Sequence, residues 1–100
     1  MAAKHGAVGL MRYYATSLAE KNIRVNTVHP TGVATPMLLN EQFDEFFADH
    51  PELGPALENL LPVQLIDAAD ISEAMIYLCG HTGRYITGIT LPVDAGHAAK

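Results

Sequence analysis

The residue pattern predicts an α/β fold, the closing part of a doubly wound parallel sheet. Apolar residues recur every three and four positions over 7–18 and again over 71–79, as on helices packed by one face. Runs rich in β-branched residues at 23–29 and 87–94 read as strands. The elements follow the order helix, strand, long excursion, helix, strand, which is the alternation of βα units entered midway. Two strands do not make an independently stable sheet, so the fold is expected to be incomplete on its own.

The first helix is expected over Gly6 to Glu20, with Ala7, Val8, Met11, Tyr14, Ala15 and Leu18 as its apolar stripe. Lys21-Asn22 ends it, asparagine being suited to a left-handed cap. Ile23 to His29 is a strand of a buried sheet, closed by Pro30. Pro30-Thr-Gly-Val-Ala-Thr-Pro36 is a loop punctuated by two prolines and a glycine. Asn40 to His50 is a second helix, stopped by Pro51. Its Phe43, Phe46 and Phe47 share a face, which either packs as an ordinary amphipathic helix or lines a pocket. Pro55 to Leu61 reads as another short helix. Asp70-Ile-Ser-Glu73 is a capping box with aspartate in the usual Ser/Thr place. Ile71, Ala74, Met75, Leu78 and Cys79 give the next helix its stripe, and Gly80 stops it. Thr87 to Asp94 is the last strand. Pro92 cannot donate to a ladder, so this strand lies at an edge or ends there. Asp94-Ala-Gly96 is a turn.

With 100 residues the chain holds at most one domain. A hydrophobic share of 49% against 17% charged residues argues for a packed core. That share is high for so small a domain and points to faces buried against something else. The net charge of −5, with only six Lys and Arg, argues against nucleic-acid or anionic-membrane partners. No apolar run reaches the length of a membrane span, and the first residues lack a signal-peptide pattern. The single cysteine, Cys79, excludes an internal disulfide and suits a reducing cytoplasm. Its place on an apolar stripe reads as a buried, inert thiol. His5, His29, His50, His81 and His97 show no metal-ligand spacing.

Four segments carry a resemblance. Ala2-Ala3-Lys4-His5-Gly6 followed by a helix is similar to the lysine end of a YxxxK motif. Arg24-Val-Asn26 is similar to a strand motif. Pro30-Thr31-Gly32-Val33-Ala34-Thr35-Pro36-Met37 is similar to a Pro-Gly-x-(Val/Ile)-x-Thr loop. Thr87-Gly88, then Val93-Asp94-Ala95-Gly96, is similar to a terminal Thr-Gly…Val-Asp-Gly-Gly pattern. In this order they resemble the C-terminal part of the short-chain dehydrogenase/reductase family. The wording is closest to the actinobacterial branch that includes the mycofactocin-coupled and carveol dehydrogenases. The resemblance implies a Rossmann-like fold, NAD or NADP as cofactor, and hydride transfer between a nicotinamide and an alcohol or ketone. It also implies a homo-oligomer.

It further implies roles for particular residues. Lys4 would be catalytic and cofactor-binding. Its ammonium would bind the nicotinamide ribose and favour the phenolate of a tyrosine, bringing that group closer to neutral pH. Judged by itself, Lys4 is a solvated lysine. Pro30, Gly32, Val33 and Thr35 would bind cofactor, with the Val33 backbone and the Thr35 hydroxyl on the nicotinamide carboxamide. A carboxamide needs both donors and acceptors, and glycine at 32 permits backbone approach or an unusual dihedral. Judged by itself the segment is a strand-to-helix turn. Asn26 reads as structural, and Asp94 and Gly96 as turn residues.

Other parts of such an enzyme have no counterpart in these 100 residues. Gly6-Ala-Val-Gly9 is not a pyrophosphate-binding turn, having neither the spacing nor a preceding strand. The segment of the catalytic serine is absent. Tyr13 and Tyr14 follow Lys4 instead of preceding it by four, and the matching tyrosine position falls just before Met1. Residues 1–100 are therefore expected to be the C-terminal part of one such domain, without the dinucleotide-binding half. Such a chain is expected to be inactive, poorly soluble and unable to bind NAD by itself. The alternative is a non-catalytic relic that associates with full-length relatives through the helices Gly6–Glu20 and Asp70–Cys79. The ordered motifs argue against an unrelated small α/β binding module.

Overall fold

Residues 2–100 are described in a computed structural model; Met1 lies outside the described residues. The elements are α1 (Ala2–Leu18), β1 (Thr27–Pro30), α2 (Glu41–Asp49), α3 (Ala68–Cys79) and β2 (Thr90–Val93). The order is the expected one, and β1 and β2 pair as a two-stranded parallel sheet. The chain divides into two compact units, one of residues 2–29 with 73–91 and one of residues 30–72 with 92–100.

In the first unit, α1 buries Met11 and Ala15 and half-buries Val8 and Leu18, while Ala7 and Tyr14 stay exposed. The helix starts at Ala2, earlier than expected, because alanine and lysine are strong helix formers. It tightens into a 3₁₀ turn at Ala19–Lys21. Asn22 then takes the left-handed conformation, φ 58°, with its N–H on the Ala19 carbonyl at 2.9 Å.

The expected strand Ile23–His29 is regular only from Thr27. Ahead of it, one backbone bond, from the Gly88 N–H to the Val25 carbonyl at 2.8 Å, is supplemented by side chains instead of a regular ladder. The Thr87 hydroxyl accepts the Val25 N–H at 3.1 Å. Asn26 donates to the Ile86 carbonyl at 3.1 Å and accepts the Ile89 N–H at 3.1 Å. Asn26 is thus structural, as its position suggested. One nitrogen of Arg24, Nη1, donates to the carbonyls of Leu78, of Gly83 at 2.7 Å and of Ile86 at 3.3 Å. For the same reason β2 begins at Thr90 and not at Thr87: the backbone before it is engaged by Asn26, Val25 and Arg24.

Two expectations about α3 are corrected. The helix starts at Ala68, and its first turn is held by Asp67, whose carboxylate accepts the Ala69 N–H at 3.1 Å. Asp70 lies inside the helix, so Asp70–Glu73 is not a capping box. Cys79 is exposed, not buried. Ile71, Ala74 and Leu78 form the inward line, and Met75 and Cys79 each sit one residue further round the helix.

In the second unit, α2 is set by Asn40. Its side-chain oxygen accepts the Phe43 N–H at 2.8 Å. Its side-chain nitrogen donates to the carbonyls of Pro36 at 2.9 Å and Met37 at 2.8 Å. Asn40→Ala removes all three bonds and is expected to cost about 1–2 kcal/mol. Amide exchange confined to 41–49 checks this, and unchanged protection there would refute it. The expected helix Pro55–Leu61 shrinks to a 3₁₀ turn, Pro55–Leu57, after a similar turn at Pro51–Leu53. The turn at Asp94–Gly96 forms as expected, with Ala95 at φ 51° and Gly96 at φ 82°. The Asp94 carboxylate holds it through the N–H groups of Gly96 at 3.1 Å and Ala98 at 2.9 Å.

Candidate functional site

The loop after β1 is shaped by one isolated parallel bridge between Val33 and Ile66. Ile66, which is buried, gives its N–H to the Gly32 carbonyl at 2.8 Å and accepts the Ala34 N–H at 2.9 Å. In a parallel ladder those bonds belong to the neighbours of Val33, so its own N–H and C=O face away from Ile66. The Val33 carbonyl accepts the Thr35 N–H at 2.8 Å and lies 3.5 Å from the Thr35 hydroxyl. Among the described residues, nothing accepts the Val33 N–H. The loop therefore presents an open N–H, a carbonyl with a spare lone pair and a loosely held hydroxyl within three residues. A planar amide is matched by that set.

Of the two uses expected for glycine at 32, the unusual dihedral is not found. Its φ is not in the left-handed region. A Cβ at Gly32 would meet the tip of Leu65 at 3.0 Å and that of Leu38 at 3.4 Å, so close packing is what glycine allows here. Pro30 is the exposed last residue of β1 and ends its ladder. Pro30, Gly32, Val33 and Thr35 thus share one loop.

Beside that loop, within the same unit, lies a cavity of about 910 Å³ lined by Thr31, Gly32, Leu38, Phe43, Phe47 and Leu65 among others. Phe43 and Phe47 face it with ring centroids 4.7 Å apart. Phe46 leaves the shared face and stacks on His50 at 4.5 Å. At the rim the Thr31 hydroxyl donates to the Asn59 side-chain oxygen at 3.2 Å, and Asn59 donates to the Val63 carbonyl at 2.7 Å. Asn59 and Leu65 lie in an irregular stretch, where no periodicity marks them. The bridge partner Ile66 is equally silent in the sequence.

Lys4 belongs to the other unit, on the first turn of α1. With Val8, Met11 and Ala15 it forms a line spaced four, three and four residues apart, the helix's packed face. Met11 and Ala15 on that line are buried, Val8 is half-buried and Lys4 is exposed. Among the described residues no group of His, Cys, Asp and Glu is placed to hold a metal ion, and no helix is long and apolar enough to cross a membrane.

Comparison with known proteins bears on the family and the fold. A family model described as enoyl-(acyl carrier protein) reductase matches residues 1–98. An uncharacterised oxidoreductase of Mycobacterium tuberculosis is 53% identical over 99% of this chain and 37% of its own length. The (-)-trans-carveol dehydrogenase of Rhodococcus erythropolis is 43% identical over 99% of this chain and 39% of its own length. Among solved structures, carveol dehydrogenase from Mycobacterium avium in complex with NAD superposes with a TM-score of 0.88, at 43% identity. That match takes in 99% of this chain and 39% of the other. A short-chain dehydrogenase from Mycobacterium paratuberculosis bound to NAD gives 0.83 at 32% identity, over 99% and 38%. The chain thus spans less than two-fifths of the length of these relatives. Its fold is that of the Rossmann-like neighbours, and the chain belongs to the short-chain dehydrogenase/reductase family.

Proposed function

We propose that residues 1–100 form the C-terminal part of an NAD(P)-dependent oxidoreductase acting on an alcohol or ketone. The observation that carries this reading is the Val33–Thr35 loop. Its open Val33 N–H, its Val33 carbonyl and its Thr35 hydroxyl are the partners a nicotinamide carboxamide requires. The bound nicotinamide would supply or accept the hydride. Val33 and Thr35 would orient the carboxamide, and Gly32 would let the loop pack onto Leu65. Lys4 would hold the ribose and act on a tyrosine supplied from outside these residues. The cavity walled by Phe43 and Phe47 would take the apolar part of the substrate and exclude water from it. A groove of about 470 Å³ along Arg24–Val28, against Met75 and Leu78, fits a sheet continued by further strands. The single cysteine fits a cytoplasmic setting.

The test is the polypeptide obtained by following the reading frame upstream of the Met1 codon. A tyrosine codon immediately before it and NAD(P)-dependent alcohol oxidation by the longer product are expected. Thr35→Ala in that product should raise KM for the cofactor roughly tenfold while leaving kcat within a few-fold. A stop codon immediately upstream would overturn the reading.

It would favour a second one, a non-catalytic chain that associates with full-length relatives. The first unit exposes Leu10 and Tyr13 on α1, and Met75 and Ile76 on α3. Exposed apolar faces of this kind mark association surfaces. Sedimentation of the chain mixed with a full-length relative decides it, a shared boundary being the supporting result.

A further inference from the structure

We propose that residues 94–100 are a strap that sets one wall of the Phe43–Phe47 cavity, with Gly96 and Lys100 as positioning residues for a small, neutral, apolar molecule held there. The inference rests on reading that cavity as the substrate-holding one. The wall is the stretch 54–65, whose only regular structure is the 3₁₀ turn Pro55–Leu57. It has few backbone bonds of its own, and the strap supplies others. The Leu61 N–H donates to the Ala95 carbonyl at 2.9 Å. The Lys100 ammonium donates to the carbonyls of Ala56, at 3.1 Å, and of Glu58.

Gly96 adds a steric fix. A Cβ there would fall 2.9 Å from Leu60 Cβ and 3.2 Å from its Cδ1. The Leu60 Cβ is anchored to the main chain, so it moves only if the wall moves. The strap itself is stiff. Asp94 binds the N–H groups of Gly96 and Ala98 by its carboxylate and that of His97 by its carbonyl at 2.9 Å. The strap therefore grips the wall at 56, 58, 60 and 61, and Glu58 and Leu61 line the cavity. Apolar side chains such as Leu57, Leu61 and Leu65 dominate the lining, and its only charged members, Asp44 and Glu58, are both acidic. A neutral apolar occupant suits that surface better than an anion.

The experiment uses the full chain and its Gly96→Ala, Lys100→Ala and Lys100→Arg variants. Amide exchange is followed at 57–63, with 43–49 in α2 as the internal control. The neutral dye Nile red reports on the cavity. Lys100→Ala should speed exchange at 57–61 and weaken dye binding about threefold, and Lys100→Arg should restore both, since arginine also reaches carbonyls. Gly96→Ala should weaken dye binding about tenfold, because the methyl pushes on the wall and the positive φ is strained. Exchange at 43–49 should not change in any variant. Unaltered exchange at 57–61 in both alanine variants overturns the strap. Faster exchange with unaltered dye affinity overturns the positioning role. Failure of the parent chain to bind the dye overturns the cavity reading on which the proposal stands.

Discussion

Gly83→Ala is expected to destabilise the unit of residues 2–29 and 73–91 by at least about 3 kcal/mol. The added methyl would lie 2.4 Å from the Tyr77 carbonyl oxygen, 2.8 Å from that of Leu78 and 3.0 Å from Leu78 Cα. All three are backbone atoms at the end of α3, so no side chain can swing aside to make room. Gly83 is buried, and its φ lies outside the left-handed region, so the demand for glycine is one of space alone. A domain of this size has a total stability at the low end of roughly 5–15 kcal/mol, so the variant should lose about half of it and unfold at a much lower urea concentration. Urea denaturation followed by circular dichroism measures it; a midpoint equal to that of the parent chain would show that the end of α3 yields freely.

Arg24→Ala is expected to cost about 2–4 kcal/mol in the same measurement, because three carbonyls lose a charged donor at once. Of those carbonyls, Leu78's depends on the arginine alone, whereas Gly83's also accepts the Ile86 N–H at 2.9 Å and Ile86's also accepts the Asn26 side-chain N–H at 3.1 Å. Arg24→Lys should recover about half of the loss, since an ammonium is a point charge without the planar spread of a guanidinium. Arg24 and Gly83 share a hydrogen bond, so the double variant should lose less than the sum of the two single losses. Full additivity would mean that the two residues act independently and that the bond between them contributes nothing.

The regular elements were legible in the sequence because each carries a local signal. The stripe through Val8, Met11 and Ala15 marks α1, Asn22 marks its end, and Asn40 with three phenylalanines marks α2. Element ends were less legible where distant groups decide them. The strand shortens to Thr27–Pro30 because Arg24 and Asn26 bond to residues some sixty positions away. Asp67 outcompetes Asp70 as the start of α3 by lying one residue before the first helical turn, a difference below the resolution of a capping pattern. Cys79 follows the inward Leu78, and a stripe drawn to include both misplaces it. At the candidate site, the loop Pro30–Thr35 was visible through its prolines and glycine. Its partner Ile66 and the strap at 94–100 were not, because a single bridge and a lysine reaching two carbonyls leave no periodic trace.

The reach of Arg24 also has a consequence in time. Helix α3 carries no basic residue in its last turn, so the cation at its carboxyl end comes from a side chain 54 positions earlier. The Gly83 and Ile86 carbonyls lie 59 and 62 positions beyond the arginine. On a ribosome adding roughly 5–20 residues per second, Arg24 is made some 3–12 s before its last acceptor. Until the chain has grown 54 positions past it, none of its native acceptors has been made. The unit can close only when its second segment arrives, so its order of assembly is set by the pace of synthesis and not by the early helix alone.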